Sequence, residues 1–138
     1  MRQTLKYLLV ILTLFSFTKS FAQLDTLEKR CARLIQYPFI SDGQEYRALV
    51  TQGQTAEFHV TFYGNATYRI AILTGDGSIA PLFRLYDKDG KLLFSSQYYN
   101  YPKYWDFKFT STIEAVIDAQ LPPDGPQSGI IIMYIGFK

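Results

Sequence analysis

The sequence predicts an all-β protein, an antiparallel β-sandwich that is jelly-roll or Greek-key like, with about eight strands behind one short N-terminal helix. Three observations predict it. Beyond Tyr46 the apolar residues alternate with period two. Gly-, Asp-, Asn- and Pro-containing breaks interrupt that pattern at intervals of about ten residues. Aromatic residues make up 17% of the chain, enough side-chain volume to fill a core between two sheets.

The first segment, MRQTLKYLLVILTLFSFTKSFA, is an address. Arg2 and Lys6 lead an apolar run from Leu8 to Phe17, and Ser20-Phe21-Ala22 offers small residues where a signal peptidase reads. Residues 1–22 are therefore expected to be a cleaved signal peptide, which makes the protein periplasmic or secreted. The alternative, a retained anchor, meets an apolar run of about ten residues where a bilayer asks for about 20. No small-residue box precedes Cys31, which follows Glu28-Lys29-Arg30, so a lipid-attachment cysteine is excluded.

Cleavage removes the apparent basicity. Of 14 Lys+Arg, Arg2, Lys6 and Lys19 leave with the leader, so 11 face 12 Asp+Glu and the mature net charge is −1. No basic cluster remains to neutralise a row of phosphates, and nucleic acid is excluded as a partner. Residues 23–138 suffice for a single domain with its own core. One cysteine cannot form an internal disulfide, which leaves Cys31 a buried thiol or an intermolecular partner.

The elements follow in order. In LDTLEKRCARLIQ, Asp25 is a candidate N-cap with Glu28 three residues on, and Leu27, Cys31, Leu34 and Ile35 share one helical face, which predicts a leading helix over 25–36. Pro38 stops it and Ser41-Asp42-Gly43 turns the chain. Tyr46 to Val50 is a strand; Phe58, Val60 and Phe62 alternate with Glu57, His59 and Thr61 in a second, and Thr51-Gln52-Gly53-Gln54 reads as the hairpin between them. After Gly64-Asn65 comes TYRIAIL, with Tyr68, Ile70 and Ile72 on one side. LFRLYDKDGKLLF is the strongest hairpin signal, turning at Asp87-Lys88-Asp89-Gly90. KYWDFKFT sets Trp105, Phe107 and Phe109 against Tyr104, Asp106 and Lys108, and the shorter IEAVID follows. IIIMYIGF, apolar on both faces, suits a central buried strand.

Catalytic material is sparse. His59, the single histidine, shares a strand face with Glu57 and Thr61; a Glu57/His59 pair could do acid–base work in a hydrolase, but a solvated strand face has the same pattern. No nucleophile motif and no metal-ligand spacing is present, so no enzyme activity and no cofactor is expected. Asp87-x-Asp89-Gly90 resembles the opening of a calcium loop, yet Leu92, Leu93 and Phe94 stand where oxygen ligands would follow, and a plain turn is expected.

The candidate contact residues lie in SSQYYNYPKYWDF. With a strand starting near Lys103, Trp105 points to the core while Tyr98, Tyr99, Asn100 and Tyr101 lie in the preceding loop. Tyrosine joins a flat apolar face to a polar tip, so these residues either bind a partner or cover one end of the sandwich. The expected function is a non-catalytic binding or accessory module of the bacterial envelope, its partner an envelope protein met at this loop or a sheet edge. The alternative is a carbohydrate-binding module that stacks a glycan on Tyr98, Tyr99 and Tyr101.

YRIAIL, FRLYDKDGKLLF, YWDFKF and SGIIIMYIGFK, in that order, resemble a group of small exported bacterial β-sandwich proteins of unassigned activity. More loosely, the chain is similar to the pre-peptidase C-terminal type of domain, a non-catalytic accessory of secreted proteases. These motifs are core and turn residues and specify fold more than function. The first resemblance implies a disulfide between an early cysteine and one after the Ser-Gly before the last strand. Here Ile130 follows Ser128-Gly129, so Cys31 lacks that partner and packing of Leu27, Leu34 and Ile35 must hold the helix.

Overall fold

A computed structural model of the chain describes residues 22–138 together with Met1, Gln3, Lys6 and Tyr7. Apart from Ala22 and those four positions, the expected signal segment lies outside the described residues. Residues 22–32 form a helix, α1, followed by nine strands: β1 (Ile40–Ser41), β2 (Tyr46–Thr51), β3 (Ala56–Phe62), β4 (Ala66–Thr74), β5 (Leu82–Asp87), β6 (Leu92–Ser95), β7 (Tyr104–Phe109), β8 (Ile113–Gln120) and β9 (Ser128–Phe137). They build the expected sandwich of two antiparallel sheets. One runs β1-β9-β4-β7 with β2 also paired to β9; the other runs β3-β8-β5-β6.

The core between the sheets comes from alternate residues of each strand. Ile131, Met133 and Ile135 of β9 and Tyr68, Ile70 and Ile72 of β4 meet Phe83 and Leu85 of β5 and Ala115, Ile117 and Ala119 of β8. Trp105, Phe107 and Phe109 pack half-buried on the same core. Period-two alternation places these residues on one face of each strand.

β9 and β4 are apolar on their other face too, and α1 is the reason. Leu27 and Cys31 are buried against Ala71, Leu73 and Ile132, with Leu34 and Ile35 at the margin. The helix therefore makes a third layer on the outer face of the first sheet. Burying a leucine-sized side chain there contributes about 1.5–3 kcal/mol. Cys31 Sγ lies 3.4 Å from Ala71 O and 3.5 Å from Ile132 O, and burial pushes its thiol up to about 12. It is a packed hydrophobe with a weak donor satisfied by two strand carbonyls.

Three local expectations are corrected. Asp25 lies inside α1 rather than at its N-cap and accepts from Lys29 Nζ at 2.9 Å, while Glu28 pairs with Arg47. The helix ends at residue 32, short of 36, and turns carry the chain to Phe39. β2 and β3 do not form a hairpin, because β2 pairs with β9 and β3 with β8. Both strands have an apolar face, and those faces meet across the core, Tyr46 against Phe58 edge-on at 5.9 Å. Alternation is the same for strands paired side by side and for strands facing each other, so it could not tell the two apart.

The β5–β6 hairpin does form, with a register shift at Leu85/Tyr86. Asp87 Oδ1 accepts from the amides of Asp89 and Lys91, each at 2.9 Å, and Gly90 takes φ +79°. The carboxylate is thus spent on its own turn.

Candidate functional site

The tyrosine-rich segment is built on a fixed base. Ser95 ends β6, and Ser96–Tyr99 make one 3-10 turn. Buried Ser96 anchors it: its Oγ accepts from the Phe83 amide at 3.0 Å, and its carbonyl accepts from the amides of Asn100 and Tyr101. Asn100 (φ 60°) and Tyr101 (φ 51°) both adopt the left-handed conformation, which reverses the chain into β7. Asparagine tolerates that region well; tyrosine rarely visits it.

The three loop tyrosines divide into two roles. Tyr99 stacks on Phe94 (ring centroids 5.3 Å, planes 6° apart) and against Trp105 (4.4 Å), bridging β6 of one sheet and β7 of the other. It covers the seam between the sheets on that side, yet keeps 52% of its surface exposed. Tyr98, 71% exposed, and Tyr101, 39% exposed, make no ring contact and no hydrogen bond through their hydroxyls among the described residues. The arrangement presents aromatic faces and free hydroxyls from a backbone held by Ser96. Beside it lies β7, paired among the described residues only with β4, which leaves its other edge unpaired by them, and residues 102–106 line a shallow hollow there.

Glu57, His59 and Thr61 share the exposed face of β3, as alternation predicts. His59 borders two open clefts, but Glu57 lines neither, so the two do not converge on an enclosed reaction site. Arg84 on the neighbouring outer face is committed to Asp118, Nε to Oδ1 at 2.9 Å.

A second concave surface was not read from the sequence. At the opposite seam, between β2 and β3, a cleft of about 560 Å³ is lined by Tyr46, Tyr63, Tyr68 and Phe137, with Asp42 and His59 among its polar groups. Its residues come from four separate segments, so no local pattern could assemble them. The Ser41-Asp42-Gly43 turn was the available signal that β1 and β2 separate there.

The fold and these two surfaces define an antiparallel β-sandwich with a helix laid on one sheet, offering an aromatic loop at one seam and an aromatic cleft at the other. No protein-family model matches the chain, and no curated protein does. Among solved structures it is similar to Aeromonas hydrophila PliG, described as a periplasmic lysozyme inhibitor of g-type lysozyme, with a TM-score of 0.55 and 10% identity over 75% of this chain and 90% of that one. At that identity the likeness is one of fold. These comparisons give the pre-peptidase C-terminal resemblance no support. No helix among the described residues is long and apolar enough to cross a membrane.

Proposed function

We propose that this chain is an exported, non-catalytic, protein-binding module of the bacterial envelope, and that it meets its partner through Tyr98, Tyr99, Asn100 and Tyr101 together with the free edge of β7. The observation that carries this reading is the division of labour among the tyrosines: Tyr99 is pinned on Phe94 and Trp105 while Tyr98 and Tyr101 stay exposed. A rigid base reduces the ordering cost of a contact, and exposed tyrosines bring large contact area with few rotatable bonds. The likeness of fold to a protein described as a periplasmic lysozyme inhibitor supports a protein partner, and the expected leader supports a periplasmic or secreted location.

The test is capture from envelope extract by the chain beginning at Gln23, beside a Tyr98→Ser/Tyr101→Ser variant. Tyr99 stays in place because it also packs on the core. The expected result is a specific protein bound by the parent and lost by the variant; a g-type lysozyme is the first purified candidate to add. Equal capture by both would overturn the loop as the contact. Glycan stacking on Tyr98 and Tyr101 is the second reading, favoured by their free ring faces and unpaired hydroxyls. An oligosaccharide array bound by the parent and not by the variant would select it.

A further inference from the structure

The seam opposite the tyrosine loop is opened by the chain itself. β1 pairs with Gly136 and Phe137 of β9, and β2 with Ser128 to Met133, so Asp42 to Glu45 span the stretch where β9 has only Tyr134 and Ile135. Four residues against two must bow outward. The bow is held by the Asp42 amide donating to Ile135 O at 2.9 Å, by the Gln44 amide donating to Asp42 Oδ1 at 2.9 Å, and by Gly43 at φ +80°. It leaves the cleft described above, at whose base Ile135 and Tyr68 are buried.

The lining is selective in charge as well as shape. Four aromatic rings, Tyr46, Tyr63, Tyr68 and Phe137, contribute to it. Asp42 is its one carboxylate, and no Lys or Arg is among the described lining residues. Asp42 makes no ion pair with a described residue; it accepts from the Gln44 amide and from Tyr46 Oη at 3.2 Å. A carboxylate has about four acceptor sites, so two remain. An anion would meet Asp42 and the negative ring faces. A neutral apolar ligand would leave the carboxylate desolvated without compensation. A cation that carries its own apolar surface satisfies both, because ring faces attract it and the carboxylate neutralises it.

We infer that this cleft is a binding site for a small quaternary or fully alkylated ammonium, separate from the loop assigned to the protein partner. A volume of about 560 Å³ accommodates such a ligand with room for a short substituent.

The experiment is an NMR titration of the chain from Gln23 with choline, run beside 3,3-dimethyl-1-butanol, its neutral carbon isostere. Choline is expected to shift resonances of Tyr46, Val60 and Tyr63 and to bind about 5-fold or more tightly than the isostere, the size of an exposed-to-buried cation–aromatic contribution. Asp42→Asn retains an oxygen for the Gln44 amide, so it is expected to stay folded and to lower that preference by the carboxylate's share, leaving the part that the rings supply. Tyr63→Ala, at an exposed ring, is expected to weaken choline without disturbing the spectrum elsewhere. Equal binding of choline and the isostere, no response of cleft resonances at millimolar choline, or unchanged preference in Asp42→Asn would each overturn the inference.

Discussion

The Arg69 guanidinium holds both carboxylate oxygens of Asp106 across the β4–β7 pair, Nε to Oδ1 at 2.7 Å and Nη2 to Oδ2 at 2.9 Å. The same group lies between the rings of Phe39 (4.4 Å) and Tyr104 (4.2 Å) and donates to Leu34 O at 3.2 Å. One side chain thus ties the segment after α1 to the edge strand beside the tyrosine loop. Arg69→Lys keeps the charge but loses the planar fork and its stacking, so it is expected to cost about 1–2 kcal/mol. Asp106→Asn, at a more exposed partner, is expected to cost less than about 1 kcal/mol. Urea unfolding of the two variants and their double mutant checks both, and additive losses would mean the pair is not coupled.

Cys31 makes stability depend on alkaline pH. Its thiol is pushed by burial from 9.0 to about 12, so between those values the unfolded chain has lost a proton that the folded chain retains. The unfolded state then binds fewer protons, and stability falls as pH rises. Between pH 8 and 10 the loss from Cys31 is expected to be about 1.4 kcal/mol, and Cys31→Ala should remove most of the slope while lowering overall stability, the remainder coming from Tyr46 and Tyr134, whose hydroxyls burial also pushes up. Denaturant midpoints at the two pH values decide it. A thiol reagent at pH 8 should label the wild type only after unfolding.

Gly136 leaves room for the chain that follows α1. A Cβ there would come within 2.6 Å of Ile35 Cγ2 and 3.3 Å of the Ile40 carbonyl oxygen. Gly136→Ala is expected to destabilise by about 1–3 kcal/mol, because the backbone of β1 cannot withdraw without giving up its pairing with β9. Thermal unfolding measures the loss, and an unchanged midpoint would mean that the segment after α1 gives way freely.

Ser95 Oγ is buried at the start of the tyrosine turn without a hydrogen-bond partner among the described residues. Ser95→Ala removes an unsatisfied polar group and is expected to be neutral or stabilising by up to about 1 kcal/mol. Ser96→Ala next to it orphans the Phe83 amide and is expected to cost about 1–3 kcal/mol. Equal effects at the two serines would contradict this assignment.

Tyr98 and Tyr99 should separate by stability. Tyr98→Ser touches no ring and is expected to fall within about 0.5 kcal/mol of the parent. Tyr99→Ser loses its stacking on Phe94 and Trp105 and is expected to cost about 1–2 kcal/mol. Chemical denaturation of the single variants reads the difference directly.

By itself the sequence determined the fold class, the positions of most strands and the face that each presents. These depend on period-two alternation and on turn residues, which are local. Trp105, Phe107 and Phe109 could be assigned inward, Tyr98, Tyr99, Asn100 and Tyr101 to the loop before them, and IIIMYIGF to a central strand for the same reason. Only the tertiary structure decided which strands pair, because the hairpin expected between β2 and β3 and the observed crossing between sheets have identical alternation. It also decided that α1 covers β9 and β4, that Tyr99 is half lid and half surface, and that Asp42, Tyr46, Tyr63, Tyr68 and Phe137 converge. Pairing and convergence are fixed by contacts between residues far apart in the chain, whose energies no local window contains.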